Sequence, residues 1–378
     1  MTINMSAVEH PGSYIKEEME TRGWIQRDLA FVLGCNEQAL NAILSGKRGI
    51  SPDMAKALGA AFDVPAEFFA NLQQAYDMAQ AQNPYAGVAE RGKMQSIFPI
   101  RDMIQRHWLA PSADAFFIET QLARFFERES LDDVPYMRHA AFRRGSYEDR
   151  NVPPGELAWL FRVRQIAKSM VAPRYSEASL RKVVQNFESL LLSPEEIRHV
   201  PHMLHDCGVR FVIVERLPKA NIAGVCFWLD ESPVIGMSLQ RDKIDNFWFV
   251  LRHECEHVLR RDGRDHEAID FSLVGEAASA TNADMPAQER IANAAAAEFC
   301  LPEDKLQDFI ERKRPFYSEE DLLRFAKRQK RHPGIVVGQF QNKTGRWDYL
   351  TRHLVKIRQF VIPSAITDGW GREVPLSL

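Results

Sequence analysis

No run of about 18 apolar residues occurs in the chain, which leaves no candidate for a membrane-spanning helix. Residues Met1 to Tyr14 lack a basic segment followed by an apolar one, so no export signal is expected. Cysteine is sparse: five are scattered, at Cys35, Cys207, Cys226, Cys255 and Cys300, without any CxxC spacing. That pattern excludes a disulfide framework and a cysteine zinc knuckle, and it fits a reducing compartment. Neither sign of charge is in surplus, the net being −3, so bulk charge points to no partner. Internal repeats are missing, and low complexity is confined to Ala294 to Ala297. The expectation is a cytoplasmic protein with no membrane partner, long enough at 378 residues for two or three domains.

From Tyr14 to Asp77 the chain breaks into five short helical pieces. The first, Tyr14 to Arg22, is stopped by Gly23, and the second, Gln26 to Leu33, by Gly34. Asn36 is a good N-cap for the third, which runs to Leu44 before Gly46. Ser51-Pro52 opens the fourth, to Phe62, and Pro65 introduces the fifth, through Phe68, Phe69 and Leu72. With Leu29, Ala30, Leu33, Leu40 and Ile43 inward, the second and third make a helix-turn-helix. Trp24-Ile25-Gln26-Arg27-Asp28-Leu29-Ala30, Leu33-Gly34 and Ile43-Leu44-Ser45-Gly46-Lys47-Arg48-Gly49-Ile50-Ser51-Pro52 closely resemble the Cro/C1-type (XRE) DNA-binding domain, particularly that of HigA-like antitoxins.

The resemblance implies that Asn36 to Leu44 is a recognition helix. Its outward Glu37, Gln38 and Asn41 would approach base edges, while Gln26, Lys47 and Arg48 would hold phosphates. The partner would be double-stranded operator DNA, bound by a homodimer. The alternative is a small helical bundle for protein contact, with Gln38 and Asn41 merely solvated. Residues 1–80 hold six Lys/Arg against ten Asp/Glu, so a monomer should bind DNA weakly.

Residues 81–96 read as a polar linker and 97–207 as a helical middle region carrying no catalytic constellation, in which Met137, Trp159 and Phe161 are core. After Gly208 the period changes. Val209 to Glu215, Ile222 to Leu229 and Pro233 to Leu239 read as strands of a small, mostly antiparallel sheet, an α+β order. They lead into an apolar helix from Asp242 to Gly263, with Arg260, Arg261 and Gly263 closing it.

The middle of that helix reads His253-Glu254-Cys255-Glu256-His257. Histidines four apart lie one turn above each other, so both imidazoles reach one metal with the Glu254 carboxylate beside them, the zincin arrangement. The bland reading, a surface salt-bridge pattern, suits a polar helix better than this one. Cys255 points away, into packing. A catalytic zinc has a third protein ligand. A second helix, Pro286 to Phe299, offers Glu289 or Glu298, which lie on opposite sides of it; His266, Glu267 and Glu276 are further candidates.

Arg252-His253-Glu254-Cys255-Glu256-His257, then Glu289-Arg290-Ile291-Ala292-Asn293 with Ala296-Ala297-Glu298-Phe299-Cys300-Leu301-Pro302, and finally Phe325-Ala326 with His332-Pro333-Gly334-Ile335-Val336-Val337-Gly338 look like the ImmA/IrrE metallopeptidases. Ala295, where phenylalanine is common, is a departure that touches packing rather than ligation. The resemblance spans a domain of residues 208–346, followed by a tail, 347–378, with a strand-like piece from Leu354 to Ile362. It implies Zn²⁺ held by His253, His257 and Glu289, with Glu254 as general base. His332 either sits in a turn or lines the cleft as an aid to the oxyanion. The basic run Arg324, Lys327, Arg328, Lys330 and Arg331 reads as a solvated helix face or as a contact for nucleic acid or an acidic partner. The implied activity is cleavage of a partner protein, a helix-turn-helix repressor, in stress-response or mobile-element control. The competing reading is a HigA-like antitoxin or repressor that holds a cognate toxin and whose metal site is structural or inactive.

Overall fold

The computed structural model describes residues 8–81, 87–131, 134, 153–262, 264 and 287–375. Met137 and the candidate ligands His266, Glu267 and Glu276 lie outside the described residues. The chain divides into two compact units, Met1–Ala86 and Gly87–Leu378.

The first unit is α1 (Pro11–Arg22), α2 (Gln26–Leu33), α3 (Glu37–Leu44), α4 (Pro52–Phe62) and α5 (Ala66–Gln80). Each boundary has a local cause. The His10 imidazole accepts the Gly12 N–H and Pro11 fills the first turn, which starts α1 earlier than Tyr14. Asn36 and Ser51 cap α3 and α4 by accepting the N–H groups of Gln38 and Met54. Ile15, Leu29, Leu40, Leu58 and Phe69 are wholly buried and make the centre of one core. Gln73 ties the loop after α3 to α5, accepting from Ile50 N–H at 2.7 Å and donating to Asp77 at 2.8 Å.

In the second unit α6 (Val88–Ile97), α7 (Ile100–Gln105), α8 (Ala115–Phe125), α9 (Pro154–Ser169), α10 (Glu177–Asn186) and α11 (Val200–Asp206) precede β1 (Arg210–Val214), β2 (Gly224–Leu229) and β3 (Ser232–Met237). Then come α12 (Ile244–Arg260), α13 (Ala287–Cys300), α14 (Glu303–Lys313), α15 (Glu319–Arg328), α16 (Pro333–Thr344), α17 (Arg358–Val361) and β4 (Ile366–Asp368). Among the described residues no helix is long and apolar enough to cross a membrane.

The four-stranded sheet has the order β2-β3-β1-β4. It is mixed, which corrects the expectation of a mostly antiparallel sheet: only β2 and β3 pair antiparallel, while β1 runs parallel to both β3 and β4. The hairpin at Asp230-Glu231 turns β3 back alongside β1, and among the described residues six α-helices come between β3 and β4. The tail is corrected likewise. Leu354 to Ile362 is not a strand but contains α17, whose first N–H, that of Arg358, is accepted by Asp242 Oδ1 together with the N–H of Ile357 just before it.

Alternation along the strands splits the core in two. Val212, Val214, Val225, Phe227 and Val234 pack with Leu122 and Phe125 of α8 and Leu157 and Phe161 of α9. Phe211, Ile213, Cys226 and Ile235 face Phe247, Trp248, Leu251 and Cys255 of α12. Both faces are covered, so the strands read as nearly continuous apolar runs. The expected boundaries at 207/208 and 346/347 fall inside this unit. A buried ion pair closes it: Arg162 of α9 donates to Asp368 of β4, which also accepts from Trp108 Nε1 at 3.0 Å.

Candidate metal centre and helix-turn-helix surface

Ile244, Trp248, Leu251, Cys255 and Val258 make the apolar stripe that seats α12 on the sheet and neighbouring helices. The helix ends on a left-handed residue, but that residue is Arg261, at φ 61°, rather than a glycine. This turn carries Asp262 back under the last helical turn.

His253 and His257 are buried one turn apart, their Nε2 atoms facing each other at 2.9 Å. The Glu289 carboxylate of α13 lies 3.3 Å from His253 Nε2 and 3.4 Å from His257 Nε2. Four ligand atoms about 2.0–2.1 Å from a tetrahedral zinc stand about 3.3 Å apart. Two imidazoles and a carboxylate, with ligand atoms within 4.8 Å of one another, are therefore a donor set of the right kind and spread for such an ion. Burial, with the neighbouring His253 in support, lowers the pKa of His257, which keeps the ring neutral as a ligand must be. Its other nitrogen, Nδ1, is 2.8 Å from Asp262 Oδ2, which orients the ring.

Glu254 is fully buried, and neither of its carboxylate oxygens has a hydrogen-bond partner among the described residues. Burial first, then the charge of Glu289, raises its pKa well above the usual carboxylate range. Gly224, at the start of the edge strand β2, makes room for it. A Cβ there would stand 2.5 Å from Glu254 Oε1 and 2.8 Å from Val250 Cγ1.

Helix α13 reaches α12 through small side chains, Ala292 and Ala296 being wholly buried between them. Its far end is held by Arg331, whose guanidinium donates to the carbonyls of Phe299 and Cys300 at 3.2 Å. One member of the expected solvated run is thus a buried helix clamp. Glu298, on the other side of α13, caps the Glu303 N–H at 3.1 Å. His332 also has a structural post. As N-cap of α16 its Nδ1 accepts from Gly334 N–H at 3.0 Å, and it is not a member of the His253, His257 and Glu289 cluster. Gly334 and Gly338 let α16 lie against the start of α12, since Cβ atoms there would meet Ile244 and Asp245.

In the first unit Glu37, Gln38 and Asn41 are exposed along α3, and Lys47 and Arg48 are exposed after it. Gln26 is half-buried and donates to Glu37 O at 2.9 Å, so it braces the start of α3, while Arg27 lies 3.3 Å from the Glu37 carboxylate.

Residues 15–69 match the helix-turn-helix family, and residues 208–330 match the IrrE N-terminal-like domain of a peptidase family. The chain joins a helix-turn-helix domain to an IrrE-like domain. Among curated proteins, virulence-associated protein A′ of Dichelobacter nodosus is 40% identical over 72 residues, which are 19% of this chain. The chain spans 63% of that relative's length. A solved addiction module antidote protein of a HigA family from Coxiella burnetii is 30% identical, with 24% of this chain and 94% of that one covered and a TM-score of 0.20. The IrrE-like match holds all three clustered side chains and Glu254. Sequence reasoning missed Asp262, Gly224 and Arg331. An acid just past the helix end was a usable signal for the first; nothing local marks the other two.

Proposed function

We propose that the chain is a DNA-binding regulator whose second unit is a zinc endopeptidase acting on a partner protein. The observation that carries this reading is the triplet of buried His253 and His257 with half-buried Glu289, beside Glu254, which has no partner among the described residues. A zinc ion held by the triplet would supply Lewis acidity toward a water and the scissile carbonyl. Glu254, made more basic by burial, takes a proton from the attacking water and returns it to the leaving amine. Asp262 keeps the His257 ring in its ligating orientation. The substrate class is a cytoplasmic protein, a helix-turn-helix repressor encoded nearby, whose cleavage releases transcription.

The test incubates the zinc-loaded chain with neighbouring gene products. Glu254→Gln should retain zinc and lower cleavage by about 10²-fold or more. Full cleavage by that variant would end the peptidase mechanism, and zinc bound without cleavage by the parent would favour a regulator with a structural metal.

The exposed α3 supports operator recognition, by a homodimer because the unit is acidic. Gln38→Ala or Asn41→Ala should reduce preference for the operator by about 1–3 kcal/mol per lost paired contact. Lys47→Ala and Arg48→Ala should weaken binding to all sequences alike. Gel shifts on the protein's own promoter region check both, and failure to bind any fragment would make the first unit a protein-contact module.

A further inference from the structure

Helices α14 and α16 flank a cleft of about 350 Å³ whose wall includes Arg314, Lys343 and Arg346 with Tyr317. The Arg346 guanidinium lies over two rings, 5.8 Å from the centre of Tyr317 and 5.2 Å from that of Tyr349. Those rings are fixed in turn. Tyr349 donates its hydroxyl to Tyr317 O at 2.6 Å, and both pack against the wholly buried Phe340. Arg346 is therefore held in place by aromatic faces, which leaves its N–H groups for a ligand. Lys343 is partly neutralised by Glu303 at 2.7 Å, whereas Arg314 is exposed.

Next to these cations in the chain stand two aromatic side chains that the core does not use. Phe316, between Arg314 and Tyr317, is 85% exposed, and Trp347, after Arg346, is 59% exposed. Neither ring is part of the cleft's lining, but each is the chain neighbour of a lining residue, Tyr317 or Arg346, within the span of a nucleotide that sets its phosphate on the charges and stacks its base on a ring. A duplex hides its base faces, and a carboxylate has no use for the rings. The volume suits about one nucleotide, at the small end of ligand sites.

We propose that this cleft binds a nucleotide, with its phosphate on Arg314 and Arg346 and its base on Phe316 or Trp347, either free or as a unit of a single strand. The site would be separate from the helix-turn-helix surface and from the metal centre. The test uses the full chain carrying Lys47→Ala and Arg48→Ala, so that phosphate contacts of the first unit do not contribute. Fluorescence anisotropy of a labelled oligothymidylate should show binding, with adenosine monophosphate as the competing free nucleotide. If the monophosphate displaces the strand at comparable concentration, the ligand is the nucleotide itself; if only oligonucleotides compete, it is the strand. Trp347→Ala and Arg346→Ala should each weaken binding about tenfold. Arg314→Ala should flatten the dependence of log affinity on log salt by about 0.7. Arg314 and Trp347 are exposed, so these variants keep the fold even if Arg346→Ala does not. Absence of binding to either probe, affinity unchanged in Trp347→Ala and Arg314→Ala, or equal displacement by poly-glutamate would each overturn the proposal.

Discussion

The core of the first unit is drawn from Ile15 to Phe69, and each of its helices packs on another within the same stretch of chain. In the second unit one sheet joins Arg210 to Asp368, and the ion pair that closes it bridges 206 positions. The same forces act in both, but the first is specified by caps, glycines and helical periodicity within a few residues of where they act. The second depends on pairings whose partners lie far along the chain, and those leave no local mark.

That difference is broken most severely at Arg162 and Asp368. Removing one partner of a buried pair leaves the other charge unpaired, at a cost of about 3–5 kcal/mol. Arg162→Met should therefore destabilise the second unit by that amount, while the first keeps its stability. Hydrogen exchange read separately over residues 8–81 and 153–262 checks it. Adding Asp368→Leu should restore much of the loss. Equal loosening of both stretches would mean that the two units are not energetically separate.

Legibility followed the same division. The five helices of the first unit and the exposed α3 were readable because Gly34, Asn36, Ser51 and Pro52 act where they stand. The His253 and His257 pair was readable because both side chains lie on one helix, and nine helical residues set Glu298 opposite Glu289. Which of the two met the histidines came from resemblance, since the contact depends on how α13 docks. The direction of β3 and β4 was not legible either, because parallel pairing is decided by the connections and not by the strands. His332 shows the limit from the other side. Before Pro-Gly it reads either as a turn residue or as part of the cleft lining, and the structure makes it the N-cap of α16.

Asp262 sharpens the comparison at a smaller scale, as a local residue in the non-local site. Asp262→Ala removes the hydrogen bond to His257 Nδ1 and leaves all three ligands in place. Zinc affinity, measured by competition with a chromophoric chelator, should fall about 10–100-fold with helix content unchanged. Unchanged affinity would show that the ring is oriented by packing alone.

The smallest effects separate two uses of glycine. Gly34 is needed for its backbone, since it stands at φ 60° at the end of α2 with no described atom within 4 Å of where a Cβ would be. Gly34→Ala should cost about 1 kcal/mol, the penalty of a left-handed alanine. Gly338 has an ordinary helical backbone, but a Cβ there would come within 2.5 Å of Asp245 Cβ and 2.7 Å of its Cγ, at the start of the helix that carries the histidines. Gly338→Ala should cost about 2 kcal/mol by overpacking. Because the clash falls on α12, it should also loosen zinc binding, which Gly34→Ala should leave untouched. Urea unfolding together with the chelator titration distinguishes the two. If Gly338→Ala were neutral in both, α16 would not be what holds the start of α12, and the glycine-rich motif would need another reason.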